Sequence, residues 1–166
     1  MIRTLVLITK ININWAEKYR PKTTKEIIGN KEAVTNIKKF ILEKKPTIIY
    51  GPAGTGKTSS VYALANELNY EILEINASDQ RNKDKIIEII GSSSKQLSLF
   101  NKGKIILIDE VDGIAGNEDR GGIQALTNIL KDTKHSIILT ANDPYSKKLA
   151  ELRKKCCLIE FNPINL

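Results

Sequence analysis

Cysteine, histidine and tryptophan are nearly missing from this sequence. The two cysteines, Cys156 and Cys157, are adjacent, so they are poorly placed to bridge to each other. A disulfide scaffold is excluded, and a reducing, intracellular setting fits this usage. The single histidine, His135, cannot join them in a Cys/His zinc site within one chain. Long hydrophobic runs are missing too. None approaches the roughly 18 residues that a membrane-spanning helix needs. Met1 to Ile13 hold only the short run Leu5-Val6-Leu7-Ile8 behind a lone Arg3. Without a long apolar region or a small-residue cleavage site, they read as a short extension rather than a signal peptide. There is no internal repeat, and Ser92-Ser93-Ser94 is the only low-complexity cluster, the mark of a loop or helix end. What remains is 166 residues, 41% hydrophobic and 27% charged. That is one globular domain with enough chain to bury its own core.

Charge is unevenly placed. Residues 1–50 hold eleven Lys and Arg against four Asp and Glu, which is the whole net charge of +7; residues 51–166 hold fifteen of each. A basic first third suits phosphates or an acidic partner. A solvated lysine face is the plainer alternative.

Periodicity predicts alternating elements. Val34, Ile37, Phe40 and Ile41 repeat at helical spacing between Lys31 and Lys45, with Asn30 as a cap and Pro46 as a stop. Helices are also expected over Lys57 to Leu68, Lys83 to Ile90, Gly122 to Lys131 and Ser146 to Leu152. Short β-branched runs predict strands at Thr47–Tyr50, Glu71–Ile75, Lys104–Asp109, Ser136–Thr140 and Cys157–Phe161. Such alternation implies an α/β fold, a five-stranded parallel sheet with helices on both faces. Ligands of these sheets bind beyond the carboxyl ends of the strands, and every motif below lies at such an end.

Gly51-Pro52-Ala53-Gly54-Thr55-Gly56-Lys57-Thr58 matches GxxxxGK[ST] in full. It follows an expected strand and opens an expected helix, the context this motif requires. The glycines let backbone N–H groups point inward at phosphate oxygens, and the helix N-terminus adds its positive dipole end. Lys57 is the candidate for the β- and γ-phosphates, and Thr58 for Mg²⁺. About fifty residues on, Ile105-Ile106-Leu107-Ile108 runs into Asp109-Glu110. There Asp109 is placed to hold Mg²⁺, directly or through water. Glu110 is placed to deprotonate an attacking water. The adjacent Glu points to ATP hydrolysis, since Ras-type GTPases position water with a different residue. Asn142 ends a third strand, where its amide can hold the water or the γ-phosphate. It is equally a turn residue before Asp143-Pro144.

Together these residues resemble the AAA+ ATPases, and more narrowly their clamp-loader branch. Trp15-Ala16-Glu17-Lys18-Tyr19-Arg20-Pro21 is similar to the W-x-E-K-Y-R-P opening of replication factor C subunits, and Ile27-Ile28-Gly29-Asn30 to the segment that follows it. In that family both stretches wrap the adenine, which implicates Tyr19, Arg20, Pro21 and Ile28. A plain anchor of the N-terminal arm is the alternative. Asn76-Ala77-Ser78-Asp79 matches the family's N-A-S-D. The segments Gln80 to Lys83, Asp109 to Gly113, Glu118 to Gly122 and Leu139 to Pro144 are of the archaeal large-subunit type, with Asn142 as sensor 1. The resemblance covers residues 15–163, so residues 1–14 are expected to be an extension and 15–166 the P-loop ATPase core. It implies ATP and Mg²⁺, the small loader subunits, a sliding clamp, primer–template DNA and a cytoplasmic, nucleoid-associated setting, with no membrane.

Two departures bear on these expectations. Small subunits carry Ser-Arg-Cys, whose arginine reaches a neighbour's ATP; here the stretch is Lys154-Lys155-Cys156, with Arg153 nearby. The family's helical lid and collar have no counterpart in these residues, which suits a fragment, a truncated product or one half of a split protein; in the last case a separate C-terminal half joins the expected partners. The resemblance places Arg81, Lys83 and Arg120 on the DNA backbone, with unpartnered surface charge as the alternative. It draws clamp contacts from the region of Ile90, Leu97 and Phe100. There Gln96-Leu97-Ser98-Leu99-Phe100 resembles half of a clamp-binding box, lacking the second aromatic because Asn101 follows. Packing onto the sheet is the alternative for those three. For function, a clamp-loader ATPase is expected. The rivals are another AAA+ replication or repair ATPase and a nucleotide-binding fragment without turnover of its own.

Overall fold

Runs of β-branched residues favour extended backbone, and five of them pair here. The structure is a computed structural model that describes residues 18–77, 103–115, 120–132 and 135–164. Its strands are β1 (Thr47–Tyr50), β2 (Tyr70–Asn76), β3 (Gly103–Asp109), β4 (Ser136–Ala141) and β5 (Cys157–Glu160). They lie in the order β2-β3-β4-β1-β5, and every pair is parallel. All strands therefore end at one edge of the sheet, and the last strand but one, β4, is inserted between β1 and β3.

Side chains alternate across a strand, so the sheet builds two cores. Ile49, Ile105, Leu107 and Ile138 face the helices α1 (Lys31–Leu42) and α2 (Lys57–Leu68), where they meet Val34, Ile37, Ile41, Val61 and Leu64. Ile48, Ile106, Ile108, Ile137 and Leu139 face the other way. They meet Ile123, Leu126 and Leu130 of α3 (Arg120–Asp132), and Leu149 and Leu152 beyond it. The expected architecture, an α/β parallel sheet covered on both faces, is the one observed. Among the described residues no helix is long and apolar enough to cross a membrane.

Several boundaries move. The first helix ends at Leu42 rather than Lys45, because Lys44 turns left-handed (φ 54°). Lys45 N–H then donates to Phe40 O (2.9 Å) and Lys44 N–H to Ile41 O (3.1 Å), the paired bonds of a Schellman stop. Ser136 Oγ also donates to Ile41 O (2.7 Å), which ties this helix end to β4. Asn30 holds the N-cap position but makes no side-chain cap. Its amide instead grips the backbone beyond β5: Nδ2 donates to Asn162 O, and Asn162 N–H donates to Oδ1, both at 3.0 Å. The helix expected over Ser146 to Leu152 is a 3₁₀ turn (Lys147–Leu149) followed by a single α-turn, α4 (Ala150–Arg153). The helix expected over Lys83 to Ile90 lies outside the described residues. Of the basic first third, Lys38 pairs with Glu67 (2.6 Å) and Lys45 with Glu43 (2.7 Å), while Lys31 and Lys39 stand exposed on α1.

A left-handed L-residue costs about 1–2 kcal/mol, and the extra freedom of an unfolded glycine takes back roughly half of that. Lys44→Gly is therefore expected to stabilise the fold by about 0.5–1 kcal/mol. Urea unfolding should show a higher midpoint at unchanged slope, and a lower midpoint would contradict the left-handed stop.

Candidate active site

The loop after β1 begins under a tight constraint. Phe161 N–H donates to Tyr50 O (2.7 Å), which draws the chain leaving β5 against the start of the loop. Gly51 sits at φ 140°, and a Cβ there would lie 2.1 Å from Phe161 O. No side chain fits. At the other end Gly56 takes φ 91° and occupies the N-cap of α2, so the loop turns sharply into the helix. The first N–H groups of α2 have no intrahelical partner and open on the same edge of the sheet. Lys57, the first residue of α2, folds back across the loop: its Nζ donates to Gly51 O (2.7 Å) and Pro52 O (2.9 Å). Burial holds its pKa below the ordinary lysine value, while Asp109, Asp112 and Glu110 pull it back up.

Two strands away, β3 delivers the acids. Asp109 Oδ1 accepts the hydroxyl of Thr58 (3.0 Å) from α2 and the hydroxyl of Thr140 from β4. Glu110 leaves the strand in a left-handed conformation, φ 56°. Its N–H donates to Thr140 Oγ1 (3.0 Å), and its carbonyl accepts Gly113 N–H (2.8 Å). Its side chain is thereby turned off the strand and exposed to the cleft. Asn142, just past β4, donates its N–H to Asp112 Oδ2 (3.0 Å).

These elements enclose a cleft of about 240 Å³ lined by Ala53, Gly54, Gly56, Lys57, Thr58, Ser59, Asp109, Glu110, Thr140, Ala141 and Asn142. The phosphate-loop residues Lys57 and Thr58, the two acids and Asn142, which the sequence places almost ninety positions apart, are thus brought together. A larger cavity, about 510 Å³, lies between the 3₁₀ turn Thr24–Glu26 and helices α1 and α2. It touches neither the phosphate loop nor an acid pair, so the smaller cleft is the candidate active site.

Tyr19, Arg20, Pro21 and Ile28 do not line that cleft. Arg20 stacks on the Tyr62 ring of α2 (3.9 Å), and the Tyr62 hydroxyl in turn bonds Glu74; Tyr19 and Ile28 are exposed. Arg153 is engaged within its own chain: Nη1 donates to Pro144 O (2.9 Å) and the guanidinium lies over Tyr145 (5.3 Å). It braces the turn that follows Asn142. Arg81, Lys83, Ile90, Leu97 and Phe100 lie outside the described residues. Arg120 opens α3, and its side chain lies outside them too. Thr140 and Asp112 lie within the family-like segments, but no motif assigns them a role of their own. A hydroxyl closing the otherwise apolar run Ile137-Ile138-Leu139 was the available signal for Thr140.

The ATPase family associated with various cellular activities (AAA) matches residues 47–162, from the start of β1 to the segment just beyond β5. The chain belongs to the AAA family. Among its relatives are proteins named replication factor C large subunit. That of Nanoarchaeum equitans is 50% identical over 154 residues, 89% of this chain and 36% of the relative. That of Methanococcus aeolicus is 45% identical over 159 residues (92% and 34%), and that of Aeropyrum pernix 42% over 162 (93% and 34%). The chain spans about a third of the length of these relatives. AAA membership implies nucleotide binding, and the loop and acid pair are where the family match and the cleft coincide.

The close approach at Gly51 can be separated from conformational strain. Gly54 also has positive φ (78°) but open space around a Cβ, so Gly54→Ala should cost about 0.5–1 kcal/mol, the strain less the unfolded-state freedom it removes. Gly51→Ala adds a clash with backbone, and overpacking of that kind typically costs a further ~1–3 kcal/mol. Thermal unfolding of both variants should rank Gly51→Ala as clearly worse. Equal losses would contradict the contact with Phe161.

Proposed function

We propose that this chain is the ATP-binding and ATP-hydrolysing core of a clamp-loader large subunit, which helps to load a sliding clamp onto primed DNA. The observation that carries the reading is the convergence of Lys57, Thr58, Asp109, Glu110 and Asn142 on one cleft. The printed names of the relatives give it direction. Residues 15–166 form the ATPase core in this reading, with 1–14 as an extension.

Each residue then has a role. The N–H groups of Gly51 to Thr58 cradle the phosphates, and Lys57 faces the β- and γ-phosphates. Thr58 Oγ1 and Asp109 Oδ1 are hard oxygen donors 3.0 Å apart. One carboxylate and one hydroxyl suit Mg²⁺, which takes its other ligands from phosphates and water. Thr58 and Asp109 would hold it, and when bound it supplies charge neutralisation at the phosphate oxygens. Glu110 accepts a proton from the attacking water onto its carboxylate, and the Asn142 amide orients that water or the γ-phosphate. Tyr19, Arg20, Pro21 and Ile28 border the adenine. Arg81, Lys83 and Arg120 face DNA, and Ile90, Leu97 and Phe100 face the clamp. The partners are small loader subunits, one of which donates an arginine to this site, the sliding clamp and primer–template DNA.

Steady-state ATP turnover, measured with and without small replication factor C subunits, clamp and primed DNA, tests the proposal. Turnover is expected in the full mixture. Lys57→Ala should abolish tight ATP binding there. Glu110→Gln should keep ATP-dependent clamp binding while turnover falls by about 10²-fold or more, the usual size of general-base loss. An inert parent in every mixture would instead indicate a nucleotide-binding module. Near-parental turnover in Glu110→Gln would remove that residue as the base.

A further inference from the structure

The ladder between β3 and β4 makes its last pair at Ile108 and Leu139. One step further the two strands stop pairing through backbone and pair through side chains instead. Glu110, on the β3 side, donates its N–H to the Thr140 hydroxyl oxygen of β4 at 3.0 Å. Asn142, on the β4 side, donates its N–H to Asp112 Oδ2 of the β3 side, also at 3.0 Å. Each strand thus supplies the acceptor for the other's outgoing backbone.

The chemistry of the two acceptors makes this arrangement directional. A threonine hydroxyl has one proton. Thr140 gives it to Asp109 Oδ1, so its lone pairs are turned toward Glu110. Thr140 is buried and cannot exchange these partners for bulk water. Asp112 spends Oδ2 on Asn142, and its Oδ1 is buried with no hydrogen-bond partner among the described residues. A buried carboxylate oxygen without a donor is costly, so the carboxylate is held in place by the fold around it rather than by solvation. Glu110 meanwhile sits in a left-handed conformation (φ 56°), which a non-glycine residue keeps only when its surroundings over-determine it.

We propose that Thr140 and Asp112 form a two-way clasp that fixes the separation of Glu110 from Asn142. Thr140 is the positioning residue for Glu110, and Asp112 the positioning residue for Asn142. Neither touches the reacting atoms. The role of the clasp in turnover rests on the ATPase reading above; its existence rests on the two reciprocal bonds.

Amide exchange resolved at single residues, on the full chain, tests the clasp without any turnover. Thr140→Val keeps shape and removes the acceptor, so it should speed exchange at the Glu110 amide and leave Asn142 protected. Asp112→Ala should do the reverse. Unchanged protection at both amides, or equal loss at both in each variant, overturns the clasp. Turnover in the full mixture with small subunits, clamp and DNA tests its consequence. Thr140→Val should lower kcat by about 10²-fold, the loss expected when a catalytic group is misplaced by about 1 Å, with KM close to parental and a melting temperature lowered by the bonds lost at Glu110 and Asp109. Thr140→Ser should restore the rate. In a Glu110→Gln background Thr140→Val should add only the part that comes from its bond to Asp109, so the two losses should fall well short of multiplying. Near-parental kcat in Thr140→Val, or losses that multiply with Glu110→Gln, overturns the positioning role. If Thr140→Val fails to fold, Asp112→Ala decides by the same two readouts, loss of Asn142 protection and of kcat. An inert parental mixture overturns the ATPase reading alone, and the crossed exchange pattern then decides whether the clasp exists.

Discussion

Strand β4 carries two parallel ladders, one to β1 and one to β3, and the functional edge depends on that double pairing. Adjacent strands lie about 4.8 Å apart, so β1 and β3 are held about 10 Å from each other. That is too far for backbone contact but within reach of side chains entering from both sides. The phosphate loop leaves β1, the acids leave β3, and Thr140 to Asn142 fill the interval between them. Without β4 in the middle, the β1 and β3 ends would meet directly and close the cleft. Burial explains why the spacing holds: β4 is buried along its length, and its side chains alternate between the two helical layers.

The cleft gathers one lysine and two acids, Asp109 and Glu110, and a third acid, Asp112, accepts the N–H of the lining residue Asn142. Like charges this close disfavour one another, and the structure answers with donors rather than with distance. Two hydroxyls serve Asp109, and a backbone N–H serves Asp112. Lys57 is partly desolvated and sits against two loop carbonyls. Its charge therefore faces the same opening as the acids. Both signs of charge thus border one opening, carboxylate on the β3 side and ammonium on the loop side.

Backbone strain clusters at the same edge. Gly51, Gly56 and Glu110 all have positive φ, and each marks a point where the chain leaves a strand or enters a helix at the cleft. Glycine meets that demand at the loop without a Cβ penalty. At Glu110 a side chain is present, so the strain remains and the Thr140 and Gly113 bonds hold it. Asn30 plays a comparable part at a distance from the chemistry. Its side chain leaves the helix it precedes and ties the arm before α1 to Asn162 after β5.

Much of this was legible along the chain, because the relevant signals are local. Ile105 to Ile108 reads as a strand buried on both faces, and Gly51 to Thr58 as a loop that opens onto a helix N-terminus. Strand and helix alternation then implies parallel pairing, which puts Lys57, Asp109 and Asn142 at one edge. Sequence alone determined the five strands, the phosphate loop and the acid pair, since each rests on residue type and spacing over a few positions. Tertiary structure alone decided the rest. Strand order put β4 between β1 and β3. Lys44 turning left-handed stopped α1 three residues early, and Asn30 chose Asn162 over its own helix. Thr140 and Asp112 acquired partners thirty positions away. Such choices depend on which groups meet across the sheet edge, and hydrogen-bond partners distant in sequence leave no periodicity to read.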